Sequence, residues 1–464
     1  MPSYRRFLTV VFVVPVFLIG CEGSDPRLQQ SGPAAGTMEE EAQPPSDWEV
    51  WLVDQSDSAE EGGFGGMLYV WDGADLHGIL TATETNAPEP SERIDLAEAT
   101  STLCMEETGA NPVRPHMLLF NPQGSHAALA FVVSGHVAIL EASTRTPVAC
   151  FRMSPGAGGA QQAHAAFPTA DGRHLLVANQ NGKLLERIDT DWASGTFEHN
   201  TAATLDLARG ETPSGALRED PELRPDNAPI CPVIDESGRL SWVTLRGGGL
   251  FVVDVRATPM EIVAEYDRYT VKGNGCGGVE ALGAMFVNSG GAPINLGGEP
   301  HPHLQLHGFD VYRFPVDGYD PTAGSNRPEP QVIFTAEGER DSHGMVAVGG
   351  HLWVMDRHAD VAEVFAIETG DHVTTVELNG ALTTNAAPDL VDRSPDGDLL
   401  VVALRGPTPL TGDPHNATGE SPGLGIIRVL GDGSSGELSA IAPVTNIRNG
   451  TEFADPHAVR VRRR

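Results

Sequence analysis

Two stretches of this chain share one layout: RPHMLLFNPQGSHAALAFVVSGHVAILEAS from Arg114 and QAHAAFPTADGRHLLVANQNGKLLERIDTD from Gln162. Each reads as a short apolar strand, a turn with glycine, a second strand, a glycine turn and a third strand. NAPICPVIDESGRLSWVTLRGGGLFVVDVR from Asn227 and APDLVDRSPDGDLLVVALRG from Ala387 repeat it. Glycine tolerates positive φ at such turns, and the Asp or Asn beside it supplies local hydrogen bonds. The third strands can be followed along the chain as MLYVWD, HVAILEA, KLLERID, LFVVDV, FDVYRF, VAEVFAI and GIIRVL, which makes seven. A unit of this kind cannot bury its apolar face alone, so the repeat constrains the fold more than any single element does. Helical periodicity is hard to find after Asp47, and an all-β fold is expected.

Seven such units are too many for one sandwich and point to a seven-bladed β-propeller spanning 48–464. DPHAVRVR at Asp455 reads as a first strand with nothing after it, while WEVWLV at Trp48 and MLYVWD at Met67 read as a unit lacking its first strand. Pairing the C-terminal strand with the N-terminal blade removes an exposed sheet edge and closes the ring. The PH at strand starts, the SPDG turn (Ser394 to Gly397) and this closing strand resemble seven-bladed propellers of the YVTN and lactonase-like kind. Such propellers host unrelated functions, so the resemblance implies the fold and leaves the activity open.

The N-terminal end has a different character. Arg5 and Arg6 precede an apolar run from Phe7 to Gly20, about 14 residues, too short to cross a bilayer as a helix. It fits a signal peptide over 1–20. Leu18-Ile19-Gly20-Cys21 resembles a bacterial lipoprotein box, which implies cleavage before Cys21 and lipidation of its thiol. Residues 21–47, rich in Gly, Pro, Ser and Gln with the run Glu39-Glu40-Glu41, read as a flexible acidic tether. The expected protein is extracytoplasmic and held at the membrane by a lipid anchor. Glu22 after the anchor, rather than Asp, favours the outer membrane of a Gram-negative bacterium.

Formal net charge is −33. That field repels phosphate backbones, argues against nucleic acid, and favours cations or basic protein partners. Cys104, Cys150, Cys231 and Cys276 contain no C-x-x-C pair, so two structural disulfides are the expectation. Cys231 and Cys276, at similar places in neighbouring repeats, are the expected partners.

In a four-stranded meander, residues just before first strands share a face with the loops between second and third strands. His116, His164, His343 and His457 sit at first-strand starts, with Asp389 at the matching place in the seventh unit. Ile230 and a glycine near Gly277 stand there in the fourth and fifth, so the ring of polar residues is incomplete. Asp341 and Asp455 lie two residues before their histidines, and Arg246, Arg357 and Arg405 end second strands nearby. EPHPHLQLHGFDVYRF from Glu299 adds His301, His303 and His307 from an insertion in the fifth unit, and a second loop carries His415. His126 and His174, each two residues past a turn glycine, are expected to pack. His77, His199, His351, His358 and His372 have no positional partners and are expected to be solvated or to pack.

Three functions stay open. Imidazole is the commonest ligand for zinc and copper, and a neighbouring carboxylate can orient its far nitrogen, so a metal-binding propeller would use His116, His164, His301, His303, His307, His343, His457 and Asp389. SHGMVAVGGHLWVMD (Ser342 to Asp356) with RPHMLLF is similar to periplasmic zinc metallochaperone propellers, a resemblance carried by His116 and His343. Nitrous oxide reductase is another propeller with metal-holding hub histidines, though only four hub positions here carry histidine. A lactonase-type hydrolase would use hub His and Arg with an acidic base, yet no compact catalytic motif demands an enzyme. The third is a metal-free interaction scaffold of the cell envelope.

Overall fold

The structure, a computed structural model, describes residues 47–81, 87–290, 308–320, 327–408 and 418–464. The proposed signal peptide, Cys21 and nearly all of the tether lie outside them.

Among the described residues, seven antiparallel sheets are built on four-stranded meanders, one of them with an extra two-residue strand, and a small two-stranded sheet stands beside them. Their innermost strands are Pro456–Arg463 for blade 1, Pro115–Phe120 for blade 2, Ala163–Pro168 for blade 3 and Pro229–Ile234 for blade 4. Gly278–Ala281, Ser342–Val348 and Pro388–Arg393 serve blades 5, 6 and 7. Blade 1 closes as the sequence predicts: the C-terminal strand pairs with Trp48–Asp54, from Trp48 opposite Arg463 to Val53 opposite Ala458. Charge latches this joint. Buried Glu49 accepts hydrogen bonds from Arg462, Arg464, Arg145 and Trp51. Burial alone would raise its pKa, but these partners hold it below the ordinary value.

Local turn chemistry explains why the units repeat. Asn121, Thr169, Asp235 and Ser394 each begin a turn whose fourth residue is a glycine at positive φ, Gly124, Gly172, Gly238 and Gly397. Each glycine N–H donates to the carbonyl three residues back. Each opening side chain accepts the N–H five residues on, at His126, His174, Leu240 and Leu399. The turn therefore carries its own hydrogen bonds and sets the register of the strands it joins.

Side-chain alternation then builds the core between blades. In Leu399–Leu404, Leu399, Val401 and Ala403 pack toward Val50 and Leu52 of blade 1. Leu400, Val402 and Leu404 face Val346 and Trp353 of blade 6. Both faces of the sheet are buried, as an inter-blade strand requires.

Within this all-β fold, blade 1 also carries short helices that the sequence pattern does not mark. Gly73–Thr81, Leu96–Ala99 and Ser101–Thr108 are helical and flank the outer strand of blade 1. They are too short for an amphipathic period to stand out, and Asp95 caps the second by accepting the Ala97 N–H. Cys104 in the third is bonded to Cys150 on the outer strand of blade 2, and Cys231 to Cys276 as expected.

Candidate metal centre at the propeller hub

The register of the inner strands shows what aims their side chains. In blades 1, 2, 3, 4, 6 and 7 the pairing of inner and second strand shifts where the hub residue sits. A β-bulge leaves a residue unpaired and re-aims its side chain. His457, His116, His164, the Ile230–Cys231 pair, His343 and Asp389 all lie at these irregularities. Blade 5 differs: a Cβ at Gly277 would stand 2.6 Å from the His343 carbonyl oxygen, so only glycine fits there.

The four hub histidines meet. His164 Nε2 and His116 Nε2 are 3.2 Å apart. The His116 ring stacks on that of His457 with centroids 3.6 Å apart, and His457 meets His343 edge-on at 5.2 Å. His343 Nδ1 contacts the Asp389 carboxylate, ending the row. All five residues are buried.

A buried salt-bridge network backs the Asp389 end. Arg405 donates from Nη1 to Asp389 at 2.6 Å and through Nε and Nη2 to both oxygens of Asp455 at 2.6 and 2.8 Å. Arg357 donates to Asp341 and, at 3.4 Å, to Asp389. Two guanidiniums thus face three carboxylates. Burial would raise the Asp389 pKa, but His457, His343, Arg357 and Arg405 hold it well below the ordinary value. Burial acts the other way on the imidazoles, driving His116 and His457 well below 6.5 and His164 down to about 3. They are neutral at physiological pH, the form that binds metal.

Hydrogen bonds select the tautomers. Gln55 Nε2 donates to Asp455 at 3.1 Å, which turns Gln55 Oε1 toward His116 Nδ1 at 2.7 Å. His116 therefore donates from Nδ1 and keeps a lone pair on Nε2. His457 Nδ1 donates to the His116 carbonyl at 3.1 Å, again leaving Nε2 free to accept or ligate. His343 Nδ1 contacts the Asp389 carboxylate but makes no hydrogen bond of good geometry with it.

The remaining residues divide sharply. His301, His303, His307 and His415 lie outside the described residues. Arg246 lies apart from the hub ion pairs, half-exposed and paired with Asp226 and Asn181. His126 packs against Trp192 and Phe197, as expected, and His174 bonds Asp189. His77 pairs with Asp396. His199 and His372 do have positional partners, contrary to expectation. Each stands opposite the residue two beyond a buried glutamate, Glu186 or Glu363, and bonds it at 2.7 Å. Gln55 and the sulfurs of Cys231 and Cys276 are hub groups the sequence reading passed over. Gln55 follows a strand end with nothing to mark it, and two cysteines 45 residues apart signal only a disulfide.

A cleft of about 340 Å³ at the rim, lined by Tyr69, Arg93, Asp95 and Asn446 among others, shares no residue with this cluster.

No protein-family model and no curated protein matches the chain. Among solved structures it is similar to a candidate 6-phosphogluconolactonase from Bacteroides fragilis, at 13% identity and TM-score 0.49, covering 90% of this chain and 99% of that one. It is also similar to the Cps50 (Swd1) β-propeller domain of Myceliophteria thermophila, at 14% identity and TM-score 0.37, covering 64% and 95%. A chain of the mitotic checkpoint complex matches at 14% identity and TM-score 0.42, covering 69% and 74%. Likeness at this level concerns the fold alone.

Proposed function

We propose that this propeller is a lipid-anchored, extracytoplasmic binding protein whose hub takes a transition-metal ion, zinc or copper, on neutral imidazoles. One observation carries the reading: His116 and His457 each hold Nδ1 on an oxygen acceptor, Gln55 or a backbone carbonyl, and His343 Nδ1 contacts the Asp389 carboxylate. That is how metal-binding imidazoles are oriented, with the far nitrogen held by an oxygen. Spacing agrees. Two nitrogens about 2.0–2.1 Å from one tetrahedral ion are roughly 3.3 Å apart, and His116 Nε2 and His164 Nε2 are 3.2 Å apart. His343, Asp389 and His457 offer a second set within 4.8 Å of one another. Asp389 already serves Arg405 and Arg357, so its part is to orient His343. The lactonase-type alternative draws less support, because Arg405 and Arg357 are engaged by buried carboxylates.

Metal analysis of air-purified, untagged protein is expected to give about one zinc or copper per chain. A His343→Ala/His457→Ala variant is expected to lose it. Absence of both bound metal and any thermal shift on adding zinc or copper would overturn the reading. Anchoring is tested separately by labelling with radioactive palmitate, expected in the wild type and absent in Cys21→Ser.

A further inference from the structure

The sequence leaves a gap in the hub at blades 4 and 5, where Ile230 and Gly277 stand. The structure fills it with sulfur. Cys231, beside Ile230, and Cys276, beside Gly277, are both buried, with Cα atoms 4.9 Å apart. A nitrogen of His164 and both sulfurs lie within 4.8 Å of one another. Every blade therefore brings a potential metal donor to the axis: His457, His116, His164, Cys231, Cys276, His343 and Asp389 from blades 1 to 7. His164 is nine-tenths buried, and its Nδ1 makes no hydrogen bond of good geometry among the described residues. A structural disulfide needs no imidazole beside it, and the Cys104–Cys150 bond belongs to no such group among the described residues.

We propose that Cys231, Cys276 and His164 form a redox-governed soft-metal site, closed as the disulfide and open to zinc or copper(I) as the dithiol. It shares His164 and His116 with the imidazole reading and goes beyond it by adding two sulfur donors that act only in the reduced protein. Opening takes two electrons and two protons from a dithiol reductant, whose own sulfurs join while Cys231 and Cys276 become thiols. The ion then displaces the two thiol protons to solvent and is held by two thiolates and an imidazole. Thiolates on one tetrahedral ion, at about 2.3 Å each, are roughly 3.8 Å apart. Side-chain rotation from the present backbone spacing reaches that separation. His116, next to His164, offers the fourth donor.

The test compares full-length protein prepared under a non-chelating phosphine with protein prepared in air, each titrated with cobalt(II). The reduced form is expected to show a thiolate-to-cobalt charge-transfer band saturating at one equivalent, and the air-oxidised form none. The band should persist in Cys104→Ser/Cys150→Ser, which keeps only the hub pair. It should vanish in Cys231→Ser/Cys276→Ser, and His164→Ala should weaken cobalt binding about tenfold or more. Reduced wild-type protein without the band, or the band lost in Cys104→Ser/Cys150→Ser on a folded chain, would overturn the proposal. If Cys231→Ser/Cys276→Ser fails to fold, alkylation of the reduced wild type serves instead, and a surviving band would be equally fatal. The imidazole reading is tested on oxidised protein, where these sulfurs donate nothing, so the two can fail separately.

Discussion

The two sides of the hub solve burial in opposite ways. On blades 6, 7 and 1, Asp341, Asp389 and Asp455 are fully buried and tied to Arg357 and Arg405. On blades 3, 4 and 5, His164 lies near Ile230, Cys231 and Cys276, and its Nδ1 makes no hydrogen bond of good geometry among the described residues. On the first side the carboxylates are neutralised by guanidiniums, whose ion pairs hold the fold around His343 and His457. The second is neutral and has bonding capacity to spare. One side of the channel thus backs its hub imidazoles, His343 and His457, with neutralised buried charge, while the other surrounds His164 with apolar side chains and sulfur.

The charged side should be the costlier one to damage. Arg405→Ala leaves Asp389 and Asp455 buried without their main partner, and about 3–5 kcal/mol of stability is expected to disappear in urea unfolding. Arg405→Lys should recover little of it, since one ammonium cannot repeat the two-oxygen contact with Asp455. A loss under 1 kcal/mol for Arg405→Ala would mean that the two sides are energetically alike.

The sulfur side is sharpened by its own control. The two disulfides close chain segments of 46 and 45 residues. Loop-closure entropy therefore assigns each about 4 kcal/mol. Removing either pair by Ser substitution should cost similar amounts in metal-free buffer. Only reduced protein that retains Cys231 and Cys276 should regain stability when zinc is added. Equal rescue of Cys231→Ser/Cys276→Ser would place the effect elsewhere.

Acid should reveal the neutral imidazoles. His116, His164 and His457 have lowered folded pKa values, so the unfolded chain binds protons that the native hub refuses. Stability is then lost as pH falls below about 6.5, and the depressed Asp389 adds a further loss below about 4. His136 at the rim, lowered to about 4 by burial, acts in the same sense. Asp54 opposes them. Burial pushes it up to about 7, so its contribution is present at low pH and fades as pH rises toward 7. His164→Leu is expected to reduce the proton uptake on unfolding by about one half at pH 6.5, rising to about one at pH 5, whereas Asp54→Asn should steepen the remaining dependence. An unchanged slope in His164→Leu would show that this ring is solvated.

The smallest effect should come from Gln55. Gln55→Leu removes the acceptor that orients His116, and metal affinity should fall about 10- to 100-fold, as for other orienting partners. Isothermal titration would detect this, and unchanged affinity would exclude His116 as a ligand.

Much of the hub was legible in advance, and for a physical reason. His116, His164, His343, His457 and Asp389 each open an inner strand, and the closed ring carries those starts to one axis. What stayed hidden was orientation. A bulge is a pairing irregularity between strands and leaves no local mark, so nothing in the chain distinguishes Cys231 as facing His164. Gln55 was missed for the same reason, since its partners, His116 and Asp455, are far away in sequence. The helices of blade 1 were missed because they are too short to declare a period.

Alternating side chains, self-bonded turns and unmatched terminal strands were enough to determine a closed ring of seven sheets, because each acts through neighbours in the chain or one adjacent strand. Which donors touch, which carboxylates are neutralised and where sulfur completes the ring depended on contacts among all seven blades. Those contacts exist only once the circle has closed.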